Sequence, residues 1–136
     1  MNEFILMTDS TADMPESFYR ENQIPVLSLT YTLENRTYTL SDSLSMPQFY
    51  DKLRQGAMPV TSQVNPEAAL NGFRAAAKQG QDILCVCFSS ALSGTYNSCQ
   101  LAADNAKLEG FVKKTAEDDG FLQNMILYLI KILLFC

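Results

Sequence analysis

The chain contains no histidine. That absence removes the usual general base, the commonest zinc ligand and the side chain that titrates near neutral pH. No block of lysine or arginine appears, and the formal net charge is −5. That argues against a nucleic-acid partner, whose phosphates demand clustered cations. Neither GxGxxG nor GxxxxGK[ST] occurs, so the common nucleotide-binding loops are missing. Gly-x-Ser-x-Gly is missing too. The start, Met1-Asn2-Glu3, lacks the basic segment of a signal peptide. The four cysteines show no CxxC spacing and fit no disulfide framework. Cys85 and Cys87 lie two apart in an apolar run and read as small buried hydrophobes, reduced, in a cytoplasmic protein.

What is present suits one domain. The 136 residues are 47% hydrophobic, enough for a real core. Phe4-Ile5-Leu6-Met7 is continuously apolar, as in a buried parallel strand, and ends at Thr8-Asp9-Ser10-Thr11. Asp13, followed by Pro15 and Glu16, predicts a capped helix running to about Asn22. The segment from Pro25 to Leu33 predicts one strand. Glu34-Asn35 then predicts a tight turn into a second strand, Arg36 to Leu40. Ser45-Met46-Pro47-Gln48 has the form of a capping box, and Gly56 marks the stop. Met58 to Pro66, bracketed by prolines, reads as a fixed loop. Asn65 and Pro66 open a helix with Leu70, Phe73 and Ala77 on its apolar stripe, ended by Gly80. The wholly apolar run Ile83 to Phe88 predicts a central strand covered on both faces.

This order predicts an α/β fold, a three-layer sandwich with a mostly parallel sheet in which Phe4–Met7 and Ile83–Phe88 are parallel neighbours. Open α/β sheets bind ligands at the C-terminal edge of their strands. Asp9, Ser10, Thr11, Ser89 and Ser90 fall at that edge, and the loop Thr61-Ser62-Gln63 can reach it. The stretch Phe88 to Ser98 passes from strand through a hydroxyl-rich turn into a helix. Free N–H groups at a helix start and the positive end of its dipole suit a carboxylate or phosphate. Gly94 permits a close backbone approach. Ser93 has two readings, helix N-cap or ligand contact, and caps are the commoner use.

Three stretches together resemble the DegV family of bacterial fatty-acid-binding proteins. They are Thr8-Asp9-Ser10-Thr11-Ala12-Asp13, Thr61-Ser62-Gln63 with Pro66 after it, and Ser89-Ser90-Ala91-Leu92-Ser93-Gly94-Thr95-Tyr96-Asn97-Ser98. The resemblance covers about residues 3 to 108. It implies an α/β domain that binds one long-chain fatty acid, with the carboxylate held by hydroxyls at the positions of Thr61 and Ser93. Read from the residues themselves, Gly94 joins that set and Ser62 is balanced between ligand and scaffold; Ser10 and Thr11 are turn formers that also line the pocket edge with Ser90, and Asp9 there is a ligand or orienter set against the commoner turn role. The resemblance further implies a protein that is not an enzyme and carries no cofactor beyond the lipid. Such a protein presents the acyl carboxylate to a separate fatty acid kinase for phospholipid synthesis, with membrane contact at most transient. With the resemblance counted, ligand contact outweighs capping for Thr61 and Ser93. The competing readings are a structural remnant without ligand and a serine hydrolase; the hydrolase lacks its histidine.

The resemblance also marks a departure. Family members are roughly twice this length and have a second domain. The expected division is therefore a partial lipid-binding domain at 1–110 and an atypical tail at 111–136, from a truncated or frameshifted member. Phe121 to Phe135 is apolar except for Lys131. It is short for a membrane span, which needs about 20 apolar residues. It reads as an apolar helix that covers bare surface or drives self-association.

Overall fold

The computed structural model describes residues 4–80 and 82–108. β1 (Phe4–Asp9) is the middle strand of a three-stranded parallel sheet, flanked by β2 (Val26–Leu27) and β6 (Asp82–Val86). Its register with β6 runs from Phe4 opposite Asp82 to Thr8 opposite Val86. The parallel pairing of the two apolar runs is thus as expected. Their rank is not: β1 is central, and β6 stands at the edge among the described residues. β6 also stops at Val86, two residues early, because the Phe88 N–H is taken by the Asp9 carboxylate rather than by a strand partner.

A second sheet, antiparallel, has the order β4-β3-β5. β3 (Thr30–Leu33) and β4 (Arg36–Tyr38) form the expected hairpin, with Glu34 at φ 49° and Asn35 at φ 65°. Two successive left-handed residues make the turn whose twist matches the strands. The predicted single strand from Pro25 to Leu33 is in fact two. Ser28-Leu29 carries the chain from the parallel sheet into the antiparallel one, and the Leu29 N–H donates to Ser10 Oγ at 3.0 Å. The proline-bracketed segment is also more ordered than a loop. Its residues Val60–Ser62 form β5, antiparallel to β3, with Tyr31 opposite Thr61. The hairpin edge offers free backbone groups, and pairing satisfies them.

Helix α1 (Glu16–Glu21) ends as expected, but Asp13 does not cap it. Asp13 instead closes the short 3-10 turn Ser10–Ala12, in the left-handed region at φ 50°. Helix α2 (Met46–Arg54) begins with Ser45, whose N–H and hydroxyl both reach Gln48 Oε1, at 3.1 and 2.8 Å. Phe49 packs edge-on to Tyr31, which stacks on Tyr38. Helix α3 (Pro66–Ala77) is capped by Asn65, whose side chain accepts from the N–H of Glu67 at 2.8 Å. Helix α4 (Thr95–Leu108) follows the turn after β6.

The core lies between the parallel sheet and the α3–α4 pair. Met7, Leu27, Val64, Phe73, Cys87, Cys99 and Ala102 are buried in one cluster, with Ile5, Ile83 and Cys85 packed against it. α3 lies close to the sheet because Gly72 has no side chain. A Cβ there would stand 3.0 Å from Leu27 and 3.4 Å from Met7. The opposite face of β1 differs: Phe4 and Leu6 remain 43% and 38% exposed. The α/β sandwich is therefore incomplete among the described residues. The tail, including Phe121 to Phe135 and Lys131, lies outside the described residues.

Candidate functional site at the sheet edge

The site is built on one carboxylate. Asp9 ends β1 and is almost completely buried. Its Oδ1 accepts from the Thr11 N–H at 2.8 Å and the Thr11 hydroxyl at 2.5 Å. Its Oδ2 accepts from the Phe88 N–H at 2.6 Å. Three donors satisfy the buried charge, as burial requires. The same bonds tie the turn after β1 to the exit of β6. Thr8 adds a second tie, its hydroxyl donating to the Val86 carbonyl at 3.0 Å. Asp9 therefore acts as the floor that orients two loops. Ser10 is spent on the Leu29 N–H, and Thr11 on Asp9.

The hydroxyl-rich turn stands on this floor. The Leu92 and Ser93 N–H groups both donate to the Ser89 carbonyl, at 2.9 and 3.0 Å. Ser90 is exposed at the tip. Ser93 Oγ accepts from the Thr95 N–H at 3.2 Å and lies 3.0 Å from Thr95 Oγ1. Ser93 Oγ thus satisfies the first N–H of α4 from the position before Gly94, whose carbonyl takes the first helical bond, and its half-buried hydroxyl has another hydroxyl as its neighbour. Among the described residues no base is hydrogen-bonded to either hydroxyl of that pair, as an activated serine would need.

The loop after β5 is fastened to the start of α4. Gln63 Nε2 donates to Ser98 Oγ at 2.9 Å, and the Val64 N–H donates to Thr95 Oγ1 at 3.3 Å. Thr95 and Ser98 are both buried. These contacts carry Thr61 and Ser62, both exposed on β5, to the same quarter of the molecule as Ser93 and Gly94. Gly94 faces a close neighbour of its own: a Cβ there would fall 1.9 Å from Gln63 Oε1. Gln63, Thr95 and Ser98 are the hydrogen-bonded scaffold that the choice of Thr61, Ser62, Ser93 and Gly94 overlooks. A signal existed, since Thr95 and Ser98 are three apart and so share one face of a helix.

The ion pairs Arg36–Asp42, Lys52–Glu34 and Arg54–Asp51 lie on the hairpin, the turn Leu40–Asp42 that follows it, and α2. The edge itself offers hydroxyls and backbone amides. Such donors hold an anion without a cation, and would take the oxygens of a carboxylate. Behind the edge lie the thiols of the core. Cys85 Sγ is 3.4 Å from Cys87 Sγ, and hydrogen bonding to Cys87 and Cys99 together with burial pushes the Cys85 thiol well above its ordinary range. It is neutral at physiological pH.

The family model described as "Uncharacterised protein, DegV family" matches residues 3–117. A DegV domain-containing protein of Clostridium perfringens is 43% identical over 106 residues, which are 76% of this chain and 36% of that protein. Among solved structures, a fatty-acid-binding DegV family protein from Thermus thermophilus superposes with a TM-score of 0.69 at 32% identity. That match covers 75% of this chain and 37% of the other. A hypothetical protein from Thermotoga maritima, whose structure reveals fatty acid binding function, gives 0.61 at 31% identity, covering 74% and 38%. The chain therefore spans little more than a third of the length of the relatives it matches. By sequence and by fold alike, this chain belongs to the DegV family.

Proposed function

We propose that this chain binds a long-chain fatty acid, with its carboxylate held at the sheet edge by the hydroxyls of Thr61 and Ser93. Ser62 and the backbone at Gly94 complete the set. The observation that carries the reading is the double fastening of the β5 loop to the α4 start, Gln63 to Ser98 and Val64 to Thr95. It brings two hydroxyl-bearing loops to one edge of a parallel sheet. The solved relatives from Thermus thermophilus and Thermotoga maritima bind fatty acids, which supports the ligand class. A fatty acid makes two demands. Each buried methylene contributes about 0.8 kcal/mol, so the chain needs an apolar lining. The carboxylate needs charge-assisted hydrogen bonds. The protein is a carrier and not an enzyme: it presents the acyl carboxylate in the cytoplasm to a separate fatty acid kinase.

Native mass spectrometry of the purified chain tests the ligand, and displacement of a fluorescent fatty acid tests the residues. A co-purified C16 or C18 acid is expected. Replacing Thr61 and Ser93 together by Ala is expected to weaken binding by several kcal/mol, since hydrogen bonds to a charged group are each worth about 1.5–3 kcal/mol. Ser93→Ala also removes the bond to the Thr95 N–H, worth about 1 kcal/mol of stability. Thr61→Ala, at an exposed position, is the cleaner arm. Unchanged affinity in the double variant would remove these residues from the site. No bound acid and no measurable titration would leave the structural remnant as the better reading.

A further inference from the structure

Cys85, Cys87 and Cys99 form a second constellation, separate from the hydroxyl edge. Cys85 lies in β6, Cys87 just beyond its end, and Cys99 in the second turn of α4. Two residues apart on an extended chain, Cys85 and Cys87 present their side chains to the same face. That face meets α4, and the three sulfur atoms lie within 4.8 Å of one another. Cys87 and Cys99 are buried and Cys85 is half-buried. We propose that these three thiols form a binding site for a single soft monovalent cation, Cu+, in a trigonal all-sulfur shell.

Geometry supports the shell. With metal–sulfur bonds of about 2.3 Å, three sulfurs around one ion stand about 4 Å apart. The observed cluster needs only small side-chain adjustments to reach that spacing. The choice of ion follows from the ligands. Soft thiolates favour Cu+ and Zn2+. A closed zinc site takes four ligands. The chain has no histidine to serve as the fourth. The Asp9 carboxylate has both oxygens engaged by Thr11 and Phe88. Among the described residues, three sulfurs with no fourth ligand beside them match a three-coordinate ion. Binding requires thiolates, so each thiol that ligates releases its proton to solvent.

The test is an anaerobic titration of the reduced full chain with Cu+ against a chromophoric Cu+ chelator. Uptake of one ion per chain is expected, with X-ray absorption of the loaded protein showing a shell of sulfur neighbours. Cys85→Ser, Cys87→Ser and Cys99→Ser are each expected to weaken uptake by more than the ~10–100-fold that loss of an outer-shell partner costs. Cys136→Ser, which leaves the cluster intact, is expected to retain it. Circular dichroism melts identify any variant that fails to fold; the absorption spectrum of the parent decides the matter without variants. Failure of the parent to compete with the chelator, an oxygen-rich shell, or loss of uptake in Cys136→Ser would overturn the proposal. So would stoichiometric Zn2+ binding in the absence of Cu+ binding.

Discussion

Gly94 shows how much one absent side chain can decide. Its φ is not in the left-handed region, where Gly56 and Gly80 sit, so alanine would meet no backbone strain there. The obstacle is Gln63, whose amide occupies the place of a Cβ while it donates to Ser98. Gly94→Ala must push that amide away and strand a buried hydroxyl. The expected cost is about 2 kcal/mol, that of leaving a buried hydrogen-bonding partner unsatisfied. In a Gln63→Ala background the clash is gone and most of that cost should vanish. Denaturant melts of the four proteins in this cycle provide the measurement. Equal costs in both backgrounds would show that Gln63 is not what Gly94 makes room for.

Among the elements, the hairpin is the one whose local chemistry is least settled. Glu34 and Asn35 both hold left-handed angles, at φ 49° and 65°. Such angles cost a non-glycine residue roughly 1–2 kcal/mol, less for asparagine, whose short side chain bonds locally. Asn35→Gly is therefore expected to raise stability by about 0.5 kcal/mol, read as a higher denaturant midpoint with an unchanged slope. Destabilisation would mean that the Asn35 side chain makes a contact worth more than the strain. Glu34 is a poorer choice for change, because it pairs with Lys52 and so links the turn to α2. That link, with the Tyr31–Phe49 contact, couples the second sheet to α2. The same sheet carries Thr61 on β5, so hairpin stability bears on the position of a proposed ligand residue.

The whole molecule presents one sheet face covered by α3 and α4 and another on which Phe4 and Leu6 remain exposed. On α4, Leu101 is 53% exposed as well. Apolar surface of this kind marks a place for further packing. The run from Phe121 to Phe135 is apolar enough to supply it. Among the described residues no helix is long and apolar enough to cross a membrane. Deletion after Gly120 is expected to lower the denaturant midpoint if the run packs on this chain, or to reduce the mass in light scattering if it joins two copies. A shortened protein with the same midpoint and the same mass would assign the tail to neither role.

Local signals read directly from the chain located most elements. Apolar runs marked β1 and β6, Glu34-Asn35 marked the hairpin, and Asn65-Pro66 with Gly80 bounded α3. These succeed because a cap, a turn or a buried strand depends on residues within a few positions of one another. The three hydroxyl-bearing stretches were likewise visible, and with them the family. Tertiary structure alone decided the rest. It divided the segment from Pro25 to Leu33 between two sheets, because a strand's partner is set by what lies beside it. It made β5 of a proline-bracketed loop for the same reason. It committed Asp9 to the distant Phe88, and set Gln63 against Ser98. Those contacts span 79 and 35 residues of chain, and no local pattern encodes which distant donor a buried acceptor will meet.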